Sequence, residues 1–348
     1  MVEIKIFQKL YYKIFLILLF VAFVFILSFK ESETKSTLFT DSDELKIKSK
    51  YTLPLREISG LSKIRDHDGR DLFYAVGDKY PIIVKFEFSS NGIDKINYID
   101  FSQAIIDKFI FCNVASNINC KKMHNLFTTQ WEALHSTDSG YHFILHEQLD
   151  TIFLYNHRRN EIVSTINLNF NDEKTRHNNS NGMGEGFILL NNNHLLSIKE
   201  RSDPSISEFS EKSKSCQGYS KDKLSTISKP FKISPKIYLE KCKTWALPKK
   251  LRSACDLSEL VSSPQGNLYL LSQKCNFIAK IKDLDLLEDK IDIVKIWKIP
   301  SQISKAEALL VLEEEKLFLV AEDNVKVDKP NIFLLESDDK KGELLNLN

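Results

Sequence analysis

The feature that most constrains this chain is a spacing. Polar residues recur in pairs fifteen positions apart, each pair bracketing two apolar runs with a turn between them. Glu132 and Glu147, Glu185 and Glu200, Ser258 and Gln273, and Glu307 and Glu322 all keep that distance. Ser59 and Asp78 are nineteen apart because their turn is longer. The five segments begin "EISGL", "WEAL", "GEGF", "DLSEL" and "AEAL". Each runs through a polar residue, a short apolar strand, a turn, a second apolar strand and a second polar residue. His67-Asp68-Gly69, Asp138-Ser139-Gly140, Asn191-Asn192-Asn193 and Pro264-Gln265-Gly266 carry hairpin chemistry, and Glu313-Glu314-Glu315 is the weakest turn.

More strand-like sequence follows most hairpins. Examples are "PIIVKFEF" and "KINYIDF" after the first, and "TIFLYNH" and "IVSTINLNF" after the second. Four strands per unit, repeated, predict an all-β fold of the β-propeller type. The count predicts five blades. A sixth is the alternative, in the insertion at 103–128, although "AIIDKFIF" there reads as a short helix. The fifth unit ends one strand short. "LKIKSKYTL", residues 45–53, is the expected missing strand, closing the ring from the N-terminal side.

The expected domain order is a cytoplasmic N-terminus and anchor at 1–29, a polar linker at 30–43, the propeller at 44–338 and a tail at 339–348. The apolar run from Ile14 to Phe29, preceded by Lys5, Lys9 and Lys13, is long enough for a single transmembrane helix. Its flanks offer no small-x-small cleavage site, so an uncleaved anchor is expected. The lysine bias places the N-terminus inside. The propeller then lies on the periplasmic side of the inner membrane. A net charge of +1 without a basic stripe argues against a nucleic-acid partner. The expected partners are the membrane, through that helix, and a ligand or protein at the propeller.

All six cysteines follow the anchor, and an oxidising compartment suggests disulfides. Cys255 and Cys275 flank one hairpin and are the first expected pair. Cys112–Cys120 and Cys216–Cys242 come next.

In a propeller the first strand of each unit is innermost and the second returns antiparallel. The paired polar residues therefore meet at one mouth of the channel. The inner ring is Ser59, Glu132, Glu185, Ser258 and Glu307. The outer ring is Asp78, Glu147, Glu200, Gln273 and Glu322. Lys79, Arg201 and Lys274 follow outer-ring positions and can offset part of the charge. Oxygen-only donors point to Ca²⁺ or Mg²⁺; the alternative is that the glutamates bond backbone groups and join adjacent blades. His135 and His146 flank the second hairpin and are weaker acid–base candidates. "RHNNSNGMG", from Arg176, is a loop placed to overhang the mouth. No GxSxG, HExxH, P-loop or GxGxxG pattern occurs.

Four of these starts, "EISGL", "WEAL", "GEGF" and "AEAL", each leading to an apolar strand that ends in Glu, Asp or Gln, resemble the SdiA-regulated family of bacterial propeller proteins. More remotely they look like the phytase-like propeller esterases. The likeness spans most of residues 45–336 and implies an extracytoplasmic propeller. Glu259 departs from it, standing where Gly60, Ala133, Gly186 and Ala308 are small. The expected function is a membrane-anchored module that binds a ligand or partner at an acidic mouth. The alternative is a metal-dependent phosphoesterase or esterase.

Overall fold

The computed structural model describes residues 43–90, 92–109, 129–170, 183–201, 203–226, 230–324, 326 and 328–338. The expected anchor at 1–29, the tail at 339–348, the Cys112–Cys120 pair and most of the loop from Arg176 lie outside them. No helix among the described residues is long and apolar enough to cross a membrane.

The described chain opens with β1 (Asp43–Glu44) and β2 (Lys46–Tyr51). Then come four antiparallel strands: β3 (Ile58–Arg65), β4 (Asp71–Gly77), β5 (Tyr80–Ser89) and β6 (Gly92–Asp100). The short helix α1 (Ser102–Phe109) follows, where "AIIDKFIF" suggested one. A second meander is β7 (Trp131–Ser136), β8 (Tyr141–His146), β9 (Thr151–Asn156) and β10 (Glu161–Asn169). A third is β11 (Met183–Leu189), β12 (Leu195–Lys199), β13 (Ser205–Ser210) and β14 (Lys236–Ala246). The fourth is β15 (Glu259–Ser262), β16 (Leu268–Ser272), β17 (Phe277–Ile281) and β18 (Ile293–Lys298). The last contributes β19 (Ala306–Glu313), β20 (Leu317–Glu322) and β21 (Ile332–Glu336), and β2 completes it.

The first strands touch in a closed cycle: β3 on β7, β7 on β11, β11 on β15, β15 on β19, and β19 back on β3. The arrangement is mostly β and propeller-like. The sheets pack face to face, and each core cluster is shared by two neighbours. Tyr74 and Val76 of the first meander meet Trp131 and Phe153 of the second. Tyr269 and Trp297 of the fourth meet Phe318 and Val320 of the fifth.

The inner strands approach so closely that a side chain has no room. A Cβ on Gly60 would lie 2.8 Å from the Leu134 nitrogen. One on Gly186 would lie 2.5 Å from a Glu259 carboxylate oxygen and 2.6 Å from the Leu260 nitrogen. Real Cβ contacts do not occur at those distances, so glycine here is a packing requirement. The Gly186 hollow also explains the odd Glu259, which fills it.

Closure is as expected: β2 pairs with β21 from Lys46↔Glu336 to Tyr51↔Ile332. The buried Asn331 side chain latches it, accepting from the Leu53 N–H at 2.8 Å and donating to the Leu53 and Leu55 carbonyls. The outer strands add an unexpected device. The first half of β14 lies parallel to β10 (Thr165↔Lys236 to Asn169↔Glu240) before its second half joins β13. Likewise β1 lies parallel to β18 before β2 joins β21. Two neighbouring pairs of meanders are thus stapled at their rims.

Cys255–Cys275 and Cys216–Cys242 are both bonded. The first spans 20 residues across the fourth hairpin. A loop of that size constrains the unfolded chain by about 3 kcal/mol. Cys255→Ser with Cys275→Ser is expected to lower stability by about that amount in urea unfolding without reductant. An unchanged midpoint would mean the bond contributes nothing.

Candidate acidic channel mouth

In three of the hairpins the inner-ring residue is the extra residue of a β-bulge. Ile58 pairs with Gly77 and Gly60 with Val76, which leaves Ser59 unopposed. Trp131 pairs with His146 and Ala133 with Leu145, which leaves Glu132. Ala306 pairs with Glu322 and Ala308 with Ala321, which leaves Glu307. In the third hairpin the irregularity falls between Met183 and Phe187 and contains Glu185. A bulge breaks the two-residue alternation and re-aims a side chain. The cores show it: Trp131 and Leu134 share one cluster, while Ala133 belongs to the next. The bulged residue lies between the two packed faces, at the axis.

One polar hollow of about 270 Å³ gathers these groups. Glu132, Glu185 and Glu307 reach it from inner strands. Asp78, Glu147, Glu200 and Asp323 reach it from the residue after each second strand. Glu57 joins them, so eight carboxylates face three cations, Lys79, Arg201 and Lys305. Each cation is already engaged. Lys79 bonds Asp78 at 2.6 Å and Glu57 at 3.1 Å, Arg201 bonds Glu200 at 2.6 Å, and Lys305 bonds Asp323 at 2.9 Å. Glu307 accepts from the Gln273 amide at 2.7 Å. Glu132, 8% exposed, and the half-buried Glu185 have no hydrogen bond or ion pair among the described residues.

Crowding raises the carboxyl pKa values. Burial, and then the charge of Asp323, lifts Glu307 to about 8. Burial lifts Glu200 to about 7 against the pull of Arg201. Glu132 is pushed well up by burial and by Asp78 and Glu147. Glu185 is pushed well up by burial and by Glu132 and Glu200. Glu259, fully enclosed beside this group, is raised by burial as well.

Six of the ten expected ring residues meet here, namely Asp78, Glu132, Glu147, Glu185, Glu200 and Glu307. Ser59, Ser258, Gln273 and Glu322 do not line the hollow. The Ser59 hydroxyl donates to the Trp131 carbonyl and so joins two meanders. Ser258 does the same toward the Ala306 carbonyl at 3.3 Å. The serines thus join meanders, as do Glu307, through Gln273 of the fourth meander, and Asp78, through the Gln130 N–H. Glu322 turns to Ser304, accepting from its N–H at 2.8 Å and its hydroxyl at 2.9 Å. Asp323 takes the mouth position instead. The cause is a second bulge in the fifth hairpin, between Val311 and Glu313, which lengthens β19 by one residue. A fixed spacing of fifteen therefore lands one residue short. Glu57, Gln130 and Lys305 were also missed. Each sits two residues before an inner-ring position, a recurrence visible only once the register is known. Gln130 donates its backbone N–H to Asp78 at 2.6 Å.

The histidines of the second hairpin are placed otherwise. His146 is buried with its ring 4.8 Å from that of Trp131. His135 is exposed, its ring 6.0 Å from that of Phe143. Lys274 does not line the hollow; its backbone N–H donates to Asp256 at 2.9 Å.

No model of a known protein family matches the chain, and no curated protein is similar to it in sequence. The SdiA-regulated likeness therefore rests on the short motifs quoted above. Solved structures resemble it in strand arrangement. Glutaminyl cyclase from Myxococcus xanthus is 12% identical, covering 86% of this chain and 99% of that one, with a TM-score of 0.45. A putative 6-phosphogluconolactonase from Bacteroides uniformis is 10% identical over 82% and 69% of the two chains, with a TM-score of 0.39. A β-propeller domain from Myceliophteria thermophila is 11% identical over 80% and 65%, with a TM-score of 0.35.

Proposed function

We propose that this chain is a five-bladed propeller of SdiA-regulated type, anchored by residues 1–29 with its ring outside the cytoplasm, which binds a cationic ligand at the acidic mouth. One observation carries the reading. Eight carboxylates and three already-paired cations surround a single hollow at the axis of a closed ring. Such a concentration of like charge costs stability unless a ligand or protons offset it. Two disulfides among the described residues favour an oxidising compartment.

The donor chemistry suits a hard cation such as Ca²⁺. The spacing is less suited, because no three of these acids bring carboxylate oxygens within 4.8 Å of one another. Chelation of a bare metal ion, and any hydrolysis that depends on it, would need the mouth to contract. Binding is accordingly preferred to phosphoester or ester hydrolysis.

A bound cation stabilises the fold by mass action, by about 2.7 kcal/mol at a hundredfold excess over its dissociation constant. The purified chain is expected to melt several degrees higher with a saturating cation than with sodium chloride of equal ionic strength. Glu185→Gln should diminish the rise. A melting curve indifferent to calcium, magnesium and organic ammonium ions alike would end the reading.

A further inference from the structure

The identity of the cation can be narrowed, on the premise that the mouth binds one. Glu132 is the pivotal residue. Its side chain is more than nine-tenths buried, it lines the hollow, and no donor among the described residues reaches it. The carboxylate oxygens open onto the hollow, so whatever fills that space has to satisfy them. Glu185, its neighbour on the next inner strand, is half-buried and likewise meets no donor among the described residues. Two adjacent acceptors thus stand ready for a donor that the described residues do not supply.

Three properties of the hollow select among cations. Its carboxylates are dispersed over four meanders, and no three converge within 4.8 Å. A dehydrated Ca²⁺ wants six to eight oxygens at about 2.3–2.6 Å, all converging on one point. Dispersed acceptors suit several separate N–H donors, each making its own charge-assisted bond. The walls hold only Glu, Asp, Gln, Lys and Arg, with no aromatic ring. Quaternary ammonium ions are held by aromatic cages, so this wall gives them no grip. At about 270 Å³ the space is below the usual range of drug-sized pockets, about 300–1,000 Å³. A slim aliphatic chain fits that volume better than a ring system.

We propose that the mouth binds primary ammonium groups carried on a flexible aliphatic chain, with Glu132 and Glu185 as the principal acceptors. That chemistry is shared by a free polyamine and by the lysine side chains of a protein partner.

The test is calorimetric titration of the purified full chain, in detergent and at constant ionic strength. Spermidine is expected to give a saturable isotherm, and tetramethylammonium, which has no N–H, to give none. Glu132→Gln and Glu185→Gln should each weaken spermidine at least tenfold. Glu336→Gln, exposed at the outer rim and paired with Lys48, should leave it unchanged. A Gly-Lys-Lys-Gly peptide that binds more tightly than spermidine assigns the ammonium groups to a protein partner; weaker binding assigns them to a free polyamine. Spermidine behaving like tetramethylammonium, or binding both Gln variants as well as wild type, overturns the proposal. If calcium then still binds and Glu185→Gln abolishes it, the broader cation reading stands alone. If neither cation binds, both fall.

Discussion

A chain carrying Glu307→Gln is expected to be more stable than wild type at pH 8.5 and no more stable at pH 4.5. The cause is proton linkage. Glu307 has an ordinary value of 4.5 and is raised to about 8 in the fold, first by burial and then by Asp323. A carboxyl raised on folding favours the protonated native state. Its native environment costs nothing below pH 4.5. The cost grows as pH rises and is complete above about 8. At about 1.4 kcal/mol per unit the span reaches about 5 kcal/mol. Partial exposure to water reduces that to about 2–3 kcal/mol. Glutamine is close in shape and keeps an acceptor for the Gln273 amide, which bonds Glu307 at 2.7 Å. Urea unfolding of both proteins across pH 4.5–8.5 checks this. The two curves should diverge with rising pH, and parallel curves would show that Glu307 titrates normally. Stability given up at a charged mouth is what a binding site costs its scaffold.

The opposite slope is expected on the acid side. Lowering the pH from 6.5 towards 3 should destabilise the wild type, and His142→Gln should flatten that limb. His142 is fully buried between the first two meanders. Its Nδ1 lies 2.8 Å from the Ser136 hydroxyl and its Nε2 lies 3.0 Å from His157 Nδ1. Burial, and then His157 and His135, push it down to about 3 from an ordinary 6.5. A base depressed on folding stays neutral in the native state while the unfolded chain takes a proton. Its stabilising effect is whole above pH 6.5 and is lost as pH falls towards 3, by about 5 kcal/mol as an order of magnitude. His157 is lowered too and adds in the same direction. The histidines and the mouth carboxyls oppose each other between pH 4.5 and 6.5. Without ligand, maximal stability should therefore fall in that window. The slope of stability against pH is the readout, because a mere packing defect in His142→Gln would lower the whole curve without changing its slope. An unaltered acid slope would exclude His142 as the cause.

Much of this molecule is legible in its sequence. The paired apolar runs specify hairpins, because strand alternation is a local property. Glycines in the hairpin turns are visible as such and do adopt positive φ: +77° at Gly69, +86° at Gly140 and +79° at Gly266. The Cys255–Cys275 bond follows from antiparallel neighbours at one rim. The closing strand at 45–53 follows from a unit one strand short. Glu132, Glu185, Glu200, Asp78, Glu147 and Glu307 could be grouped because each falls at the same place in its repeat.

Other features had no local signal. Whether Glu322 or Asp323 faces the axis depends on one extra residue in β19, and a strand lengthened by one turns the following positions to the other face. The assignment of Ser59 and Ser258 to join meanders depends on carbonyls from a neighbouring unit. The parallel staples of β14 on β10 and of β1 on β18 bring together segments separated by intervening strands. Sequence alone determined which residues recur and in what order the strands lie, because hydrophobic period and turn chemistry act within a few residues. Tertiary structure alone decided which recurring acids share a hollow, and which of them lack a donor. Bulge, register and neighbour are properties of pairing between strands, and no single strand carries them.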